Sequence, residues 1–427
     1  MTTAELTKKD LFTDTLSTLD FSHEGQHYLS LRKTAREAIK NLEFPTSKTE
    51  YWKYTRVGKI INKKYTVLKT ATIDITPFLI PDLKANIIVL INGYVIPSLS
   101  KVKENDNIKV LSLVKAKEKG IVIKDHFNKY TSGKNEIFIE LNNAYHTDGV
   151  CIHTNKNAII ESPYHIINIT TGNNTISQSR NLFIAEPGSS VKIIESFVNV
   201  DGSENFINNI SEICVGENAQ LYYNKIQDKK DENYSISTEQ VYQSANSQFY
   251  INTATFNGAL VRNNLNIEVD ASNCETNLSG LYLGKNNDHI DNHTVVDHKK
   301  PHCNSNEIYK GVLDDESTGV FNGKVFVRPD AQITNAFQQN NNILLSDNAT
   351  ADSKPELEIY ADDVKCSHGS TTGQIDDEAI FYLQSRGISK KGALNLMINA
   401  FAKDALENIT IEALKNYIDK KIEERFA

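Results

Sequence analysis

The chain has 427 residues, with a hydrophobic content of 39% and a charged content of 23%, which is typical of a globular protein with a large core. Its formal net charge is −8 and it has no strongly basic block, so the pattern expected of a nucleic-acid-binding protein is absent. No apolar run approaches the ~18 residues of a membrane span, and residues 1–10 contain neither a signal-peptide core nor an Arg-rich transit peptide. We therefore expect a cytoplasmic protein that binds neither nucleic acid nor membrane.

The cysteines argue against disulfide bonds. They are far apart, odd in number and contain no Cys-x-x-Cys pair, and they are Cys151, Cys214, Cys274, Cys303 and Cys366. This spacing argues against a disulfide framework and against a zinc ribbon. We expect all of them except Cys366 to be small, buried hydrophobic side chains.

Residues 1–84 are predicted to form a helical domain. Apolar residues recur at helical spacing from His27 to Leu42, and Pro45 ends that helix because proline disfavours helical backbone in the residue before it. The next stretch, 45–55, contains the only tryptophan, Trp52, close to two tyrosines. We predict that it anchors the domain through a small aromatic core.

Residues 85–365 have a different pattern. Short apolar runs rich in β-branched residues are separated by clusters of Gly, Asn, Asp, Ser and Pro. Such runs are typical of strands, and three of them lie at 87–91, 136–140 and 191–194. This part of the chain is predicted to be entirely β.

A weak repeat indicates how the strands are arranged. Val191, Leu221 and Phe249 each follow turn-forming residues, at intervals of 30 and 28 residues. That period fits one coil of a parallel β-helix, in which stacked coils bury a continuous core. A pair of β-sandwiches is the alternative. Asn335 and the asparagines at 340–342 suit polar ladders at the corners of such coils.

Residues 288–303 are rich in metal-binding side chains, namely His289, His293, His298, His302 and Cys303. On a helix, histidines four residues apart would share a face and could bind a metal ion. The segment has the pattern of a turn and a strand, however, and Pro301 opposes a helix. We predict a polar face of the β-structure, with a metal-storage or sensor site as the alternative.

Cys366 and His368 are the principal candidate functional residues. An apolar–polar alternation over 357–361 predicts a strand, and acidic residues from Asp376 predict a helix that Gly387 ends. The thiol and the imidazole lie between these elements, where a scaffold can present reactive groups. Both suit iron or zinc, but two ligands leave a site incomplete, so the others would come from another chain.

Two more helices are predicted near the C-terminus, one capped by Ser389 and one capped by Thr410. With the preceding helix they form a predicted C-terminal domain, residues 366–427. This domain either closes the end of the β-structure, where strand edges would be exposed, or presents a docking surface.

Sequence motifs of common enzymes are absent. The chain has no Gly-x-x-x-x-Gly-Lys-Ser/Thr, Gly-x-Gly-x-x-Gly or Gly-x-Ser-x-Gly motif, so we predict a protein that is not an enzyme. Any ATP hydrolysis would belong to a partner. A carbohydrate-active β-helix protein is the rival hypothesis, but it requires a groove of carboxylates with a Lys or Arg, and usually a secretion signal.

Two stretches resemble SufD proteins, which belong to the SufB/SufD family of the SUF iron–sulfur cluster assembly machinery. The first is Asp-Asp-Val-Lys-Cys-Ser-His-Gly at the start of 362–388, and the second is Pro-x-x-Lys-x-Glu-x-Trp-Lys-Tyr-Thr at 45–55. Residues 291–312 also resemble a segment shared by SufB and SufD. SufB carries an acidic residue on each side of the histidine, whereas Ser367 and Gly369 flank it here, which is the SufD form.

The resemblance implies a fold and a function. The fold is an N-terminal helical domain (1–84), a right-handed parallel β-helix (85–365) and a C-terminal helical domain (366–427) that docks the ABC-type ATPase SufC. The function is that of a scaffold or accessory subunit that pairs with SufB, and builds and holds a nascent iron–sulfur cluster or acquires its iron.

The resemblance also implies roles for particular residues. His368 would bind iron or the nascent cluster at the SufB–SufD interface together with a SufB cysteine, and Cys366 would support it. The cluster would be transient, with no tightly bound cofactor in the isolated chain. The retained Cys366 leaves a homodimer open as an alternative. The helical region expected to dock SufC contains Asp377, Phe381, Arg386, Leu394, Met397 and Phe401.

Overall fold

The computed structural model describes residues 8–69, 73–120, 123–200, 202, 204–230 and 232–426. The first seven residues are not among them, so the expectation that no leader is present falls largely outside the described residues. Within the described ranges, no helix is both long enough and apolar enough to cross a membrane.

The described residues form eight α-helices and twenty strands. The helices are α1 (Lys8–Ser17), α2 (Gln26–Asn41), α3 (Gly58–Ile61), α4 (Leu113–Glu118), α5 (Ile137–Tyr145), α6 (Asp377–Ser385), α7 (Lys390–Ala402) and α8 (Glu412–Arg425). The strands that begin the β-structure are β1 (Asn86–Ile91), β2 (Tyr94–Val95), β3 (Ile108–Ser112), β4 (Val150–Thr154), β5 (Tyr164–Thr170), β6 (Thr175–Ser177) and β7 (Arg180–Ala185). The strands that continue it are β8 (Ser190–Asn199), β9 (Asn205–Val215), β10 (Gln220–Asp228), β11 (Tyr234–Gln243), β12 (Gln248–Asn257), β13 (Leu260–Val269), β14 (Glu275–Gly284), β15 (His289–His298), β16 (Asn304–Leu313), β17 (Thr318–Val327), β18 (Thr334–Leu344), β19 (Thr350–Ile359) and β20 (Val364–Gln374).

From β7 onward the chain alternates between two sheets and so winds into a solenoid. Sheet B has the strand order β2-β1-β5-β8-β10-β12-β14-β16-β18-β20, and sheet A has the order β19-β17-β15-β13-β11-β9-β7-β4-β3. Neighbouring strands are parallel except in the pairs β1–β2 and β3–β4. The fold is therefore a mainly β parallel solenoid of about eight turns with helices at both termini. This confirms the predicted fold class, and the β-sandwich alternative is wrong.

The predicted repeat is confirmed by the register of the strands. Leu221 on β10 is the Cα partner of Val191 on β8 and of Phe249 on β12. All three side chains are buried in the continuous core inside the solenoid. A residue with positive φ forms the corner before each of these strands, and these residues are Gly188, Asn218 and Asn246. Glycine and asparagine tolerate this left-handed backbone best, which explains the turn residues of the repeat.

The predicted amide ladders are present, partly at a corner and partly inside the solenoid. Asn335 Nδ2 donates to Asn304 Oδ1 over 2.8 Å at the start of two stacked strands. Asn340 and Asn342 are buried inside, where Asn340 Nδ2 donates to the hydroxyl of Tyr282 over 3.0 Å. Paired in this way, the buried amides do not carry the energetic penalty of unsatisfied polar groups.

The prediction of a strand at 136–140 is wrong, because this segment begins the helix α5. The carboxylate of Glu136 accepts a hydrogen bond from the backbone N–H of Ile139 over 2.9 Å and caps the helix. Every residue of α5 is buried, and the helix packs against α2. A short apolar run fits a buried helix as well as a strand, so periodicity alone could not distinguish them.

The N-terminal helices lie on the outer face of sheet A. The predicted helix from His27 to Leu42 is confirmed as α2, and Trp52 is 4% exposed. The Trp52 ring lies 5.4 Å from that of Phe138, within a cluster that also contains Phe206 of β9. The predicted aromatic anchor is therefore confirmed. Helical structure also extends beyond residue 84, since α4 and α5 follow β3.

The C-terminal helices begin mostly as predicted. The side chain of Asp376 accepts hydrogen bonds at the start of α6, and Gly387 adopts a φ of 87° after this helix. The side chain of Ser389 accepts a hydrogen bond at the start of α7. The predicted cap at Thr410 is wrong, because Ile411 occupies the N-cap position of α8 and makes no side-chain cap bond.

The C-terminal helices pack on the outer face of sheet B. Ile398, Leu414 and Ile418 join a buried cluster with residues of β10 and β14. Lys310 on β16 donates to the carbonyl of Phe401 over 2.8 Å. The expectation that this domain closes the end of the β-structure is therefore wrong, and β19 and β20 are the last strands of their sheets.

The buried histidines predict how stability depends on pH. Burial lowers the pKa of His298, which lies inside the solenoid, to about 4. The native state therefore binds fewer protons than the unfolded state between pH 6.5 and 4, and its free energy of unfolding falls as the pH falls through this window.

We expect His298→Gln to reduce this loss by on the order of 3 kcal/mol, as measured by urea unfolding from pH 7 to pH 4. Parallel curves of unfolding free energy against pH for the wild type and the variant would contradict the attribution of this loss to His298.

Candidate functional site at the open end of the solenoid

Cys366 and His368 lie within a strand. They were predicted to lie between a strand and a helix, but β20 spans Val364–Gln374 and contains both of them, and α6 begins only at Asp377. The predicted domain boundary at 365/366 falls inside the same strand. The predicted strand at 357–361 corresponds to the end of β19.

Both side chains belong to the inward-facing side of sheet B. In the register of β18 with β20, Cys366 is the Cα partner of Ala336, and His368 is the Cα partner of Gln338. Ala336 and Gln338 are buried inside the solenoid, whereas the residue between them, Phe337, is 46% exposed. Because register partners share a face, the thiol and the imidazole extend this inner face by one more coil.

The two side chains differ in their surroundings. Cys366 is half-buried against the small apolar cluster of Val325, Val327 and Ala336, and burial raises the pKa of its thiol. His368 is exposed. The imidazole is therefore accessible from outside the solenoid, and the thiol lies two residues earlier along the same face.

The strand that carries them is the edge of its sheet. β20 pairs with β18 and ends the order of sheet B, and β19 ends the order of sheet A. A hydrogen bond of 2.8 Å from the Ser370 hydroxyl to that of Ser353 joins the two strands across the last coil. An uncovered edge offers backbone N–H and C=O groups to a strand of another chain.

A column of polar side chains leads inward from His368. Glu307 on β16 is the Cα partner of Gln338 on β18, which is the partner of His368. Gln338 Nε2 donates to Glu307 Oε2 over 2.8 Å, and Thr294 Oγ1 donates to Glu307 Oε1 over 2.5 Å. Burial raises the pKa of Glu307 to about 7, although the two hydrogen bonds lower it. Sequence reasoning missed this column, although the coil period, applied backward from His368, would have found it.

The histidine-rich segment 288–303 does not form the alternative metal site. β15 places His289 and His293 on the outer face of sheet A, whereas His298 and Cys303 are completely buried inward. Among the described residues, no group of three or more His, Cys, Asp or Glu side chains could hold a metal ion. The prediction of a polar β-structure is therefore confirmed for this segment.

The N-terminal signature stretch covers these outer histidines. Thr55 Oγ1 lies 2.8 Å from His289 Nε2 and donates to the carboxylate of Asp291. Arg262 Nη1 donates to the same carboxylate over 2.6 Å, and the guanidinium carbon lies 3.8 Å from the centre of the Trp52 ring. Burial of Asp291 favours its neutral form, but His293 and Arg262 outweigh burial and lower its pKa. This network joins the N-terminal domain to the solenoid.

We expect Asp291→Ala to lower the free energy of unfolding by about 3–5 kcal/mol, because it leaves the buried guanidinium of Arg262 without its partner. The matched control is Lys354→Ala, which removes an ion pair with the exposed Glu50 and should cost no more than about 1 kcal/mol. Urea unfolding measures both. Equal losses in the two variants would contradict a structural role for Asp291.

The residues predicted to dock an ATPase fall into two groups. Asp377 and Phe381 on α6 and Arg386 directly after it are exposed, with Phe381 at 72%. Leu394 and Phe401 on α7 are half-buried and pack against the cluster on sheet B, and Met397 is also half-buried. Two exposed apolar side chains nearby, Tyr382 at 58% and Leu396 at 52%, were not predicted. An apolar residue outside the buried stripe of its helix is the signal that could have identified them.

Comparison with known protein families agrees with this architecture. Residues 3–166 match the model described as the SufBD protein N-terminal region, and residues 167–401 match the SUF system FeS cluster assembly, SufBD core domain. The chain belongs to the SufB/SufD family. The resemblance inferred from the two signature stretches is therefore confirmed, and the family assignment counts against a carbohydrate-active protein.

Two relatives are similar over nearly their whole length, and a third is similar over part of its length. The iron–sulfur cluster assembly protein SufD of Escherichia coli is 30% identical over 390 residues, which cover 89% of each chain. An iron–sulfur cluster assembly SufBD family protein of Synechocystis is 30% identical over 409 residues, or 92% of this chain and 90% of the relative. The chloroplastic protein ABCI7 of Arabidopsis thaliana is 29% identical over 67% of this chain and 62% of its own length. The chain is thus a SufD-like iron–sulfur cluster assembly protein.

Proposed function

We propose that this chain holds iron or a nascent iron–sulfur cluster at the open end of its solenoid, with His368 as a ligand. The observation that carries the proposal is the exposed imidazole of His368 on the inner face of an edge strand, two residues from the thiol of Cys366. Imidazole nitrogen and thiolate sulfur are both suitable ligands for iron. The iron is a cargo of the protein, so binding that is strong enough to collect it must also allow its release.

The remaining ligands come from a second subunit. Cys366 and His368 supply two ligands at most, and they lie where another β-structure can add strands to β20 and β19. A SufB-like paralogue is the proposed partner, because a solenoid of the same family would present matching strand edges. A homodimer of this chain is the alternative, and it would bring two copies of His368 and Cys366 together.

The helices α6 and α7 are the proposed docking site for a SufC-like ABC-type ATPase. Phe381, Tyr382 and Leu396 expose apolar surface there, next to the charged Asp377 and Arg386. Apolar anchors rimmed by charged side chains are typical of interfaces. ATP-driven association of two ATPase subunits would then pull on the paired solenoids and open the interface that holds the cluster. The chain itself catalyses no reaction in this scheme, and a cytoplasmic location stays a prediction.

We expect His368→Ala to abolish the labile iron and sulfide of the purified three-component complex while leaving its assembly intact, because the side chain is exposed and its loss leaves the core of the solenoid unchanged. Anaerobic iron and sulfide analysis after size-exclusion chromatography measures this. The matched control is Ser367→Ala, the neighbouring residue on the opposite face of β20. Unchanged iron in His368→Ala, or loss of the complex, would refute the ligand role.

The docking site has an independent test. Phe381→Asp should prevent the ATPase from co-purifying while pairing with the SufB-like subunit persists, because it places a charge where apolar surface would be buried. Lys420→Gln on the exposed side of α8 is a control that changes the net charge by the same amount, about −1. Retention of the ATPase by Phe381→Asp would place its binding site elsewhere.

A further inference from the structure

The inner column that ends at His368 contains a buried amide in the adjacent coil. Gln338 on β18 is 2% exposed, and it is the Cα partner of His368 on β20. Neighbouring parallel strands lie about 4.8 Å apart, so side chains of one column stand next to each other on the same face. The hydrogen bonds of the Gln338 amide can therefore affect the orientation of the imidazole.

The orientation of the Gln338 amide is determined by its other neighbour. Its nitrogen donates to Glu307 Oε2 over 2.8 Å, so the N–H side of the amide faces the preceding coil. Gly323, on the opposite sheet of the solenoid, leaves room for this nitrogen. A Cβ atom at that position would overlap Gln338 Nε2. The amide nitrogen is thus held toward the preceding coil.

The amide oxygen, in contrast, has no hydrogen-bond donor. Gln338 Oε1 is buried and accepts no hydrogen bond among the described residues. A buried carbonyl oxygen without a donor is energetically costly, so such atoms call for an explanation in a native structure. The next position in the column, on the side away from Glu307, is His368, whose ring carries N–H groups.

We propose that Gln338 is a positioning residue for His368. When the exposed ring turns toward Gln338, Oε1 accepts a hydrogen bond from one ring N–H of His368, which holds the neutral imidazole in a single tautomer. The other ring nitrogen then keeps its lone pair free for the metal at the open edge. A neutral imidazole has one N–H and one lone pair, and metal-binding histidines commonly donate their N–H to a neighbouring oxygen in this way. The inference rests on the ligand role proposed for His368 and deepens it.

The test is the tautomer of His368 in the full-length isolated chain. With ¹⁵N-labelled histidine in mildly alkaline buffer, the two ring nitrogens of His368, assigned by comparison with His368→Ala, should show the well-separated shifts of one tautomer. Gln338→Met replaces the amide by an apolar chain of similar shape, and Gln338→Leu is a second variant should the first fold poorly. In either variant the shifts should converge toward those of a tautomer mixture.

The matched control is Asn341→Ala. Asn341 lies on the same strand, and its amide donates to the Thr371 hydroxyl of β20 over 2.6 Å, so the variant disturbs the same pair of strands outside the inner column of His368. It should leave the His368 shifts unchanged. In the assembled complex, Gln338→Met should weaken iron binding by about 10–100-fold, the effect typical of losing a residue that orients a metal ligand.

A mixture of tautomers in the wild type, or wild-type shifts in both Gln338 variants, would overturn the inference. The nitrogen shifts need neither iron nor a partner, so this outcome is separate from failure of the proposed function. If His368→Ala retains iron in the complex, the ligand role fails whatever the shifts show. If His368→Ala loses iron but the Gln338 variants keep the single tautomer, only the positioning role fails.

Discussion

The stacking of coils in register is the constraint on which the rest of this structure depends. Each strand from β8 to β18 pairs on both sides, so its backbone hydrogen-bonding groups are used by the coils before and after it. The last coil has a neighbour on one side only. Helices cover the outer faces of both sheets, but the C-terminal helices stay on the flank of sheet B and leave the edges of β19 and β20 at the end. The fold therefore leaves incomplete hydrogen bonding at the end that carries the thiol and the imidazole.

This arrangement explains how a protein with so few ligands at its end could serve cluster assembly. Cys366 and His368 belong to the inner face of the last coil, and in the proposed function a second subunit extends this coil. A site divided between two chains forms when the chains meet and is disrupted when they separate, which suits a cargo that must be passed on. The buried column of Glu307 and Gln338 gives the exposed end a rigid support from within. A rigid support matters because an exposed side chain on an edge strand otherwise samples many orientations.

Much of the fold could be predicted from the sequence because it is repetitive. The spacing of Val191, Leu221 and Phe249 gave the coil length, since each coil must return a buried side chain to the same column. The strand β20 was missed for the opposite reason. Its inner face is not buried, so residues 364–374 lack the apolar alternation by which a half-buried strand is recognised. The prediction for 136–140 failed because a wholly buried helix has no exposed polar face, and so its sequence lacks the usual helical alternation of polar and apolar residues.

The chemistry of the site was predictable from its signature, whereas its support could have been found only through the coil period. The signature around Cys366 and His368 identified the residues, but Gln338 is distant in sequence and carries no chemical signal of its own. The histidine-rich segment shows the same limit. His289 is satisfied by Thr55, which lies 234 residues earlier in the chain, and no local pattern could reveal that contact. Long-range packing thus decides that His289 is covered while His368 is left accessible.

The most direct test of the central claim is pulsed electron paramagnetic resonance on the reduced cluster of the reconstituted complex, with ¹⁵N-histidine incorporated into this chain alone. The account predicts a ¹⁵N hyperfine coupling typical of an imidazole bound to iron, which disappears when the labelled chain carries His368→Gln. A cluster that shows no such coupling, or a coupling that survives this substitution, would contradict the claim that His368 at the open end of the solenoid binds the cluster.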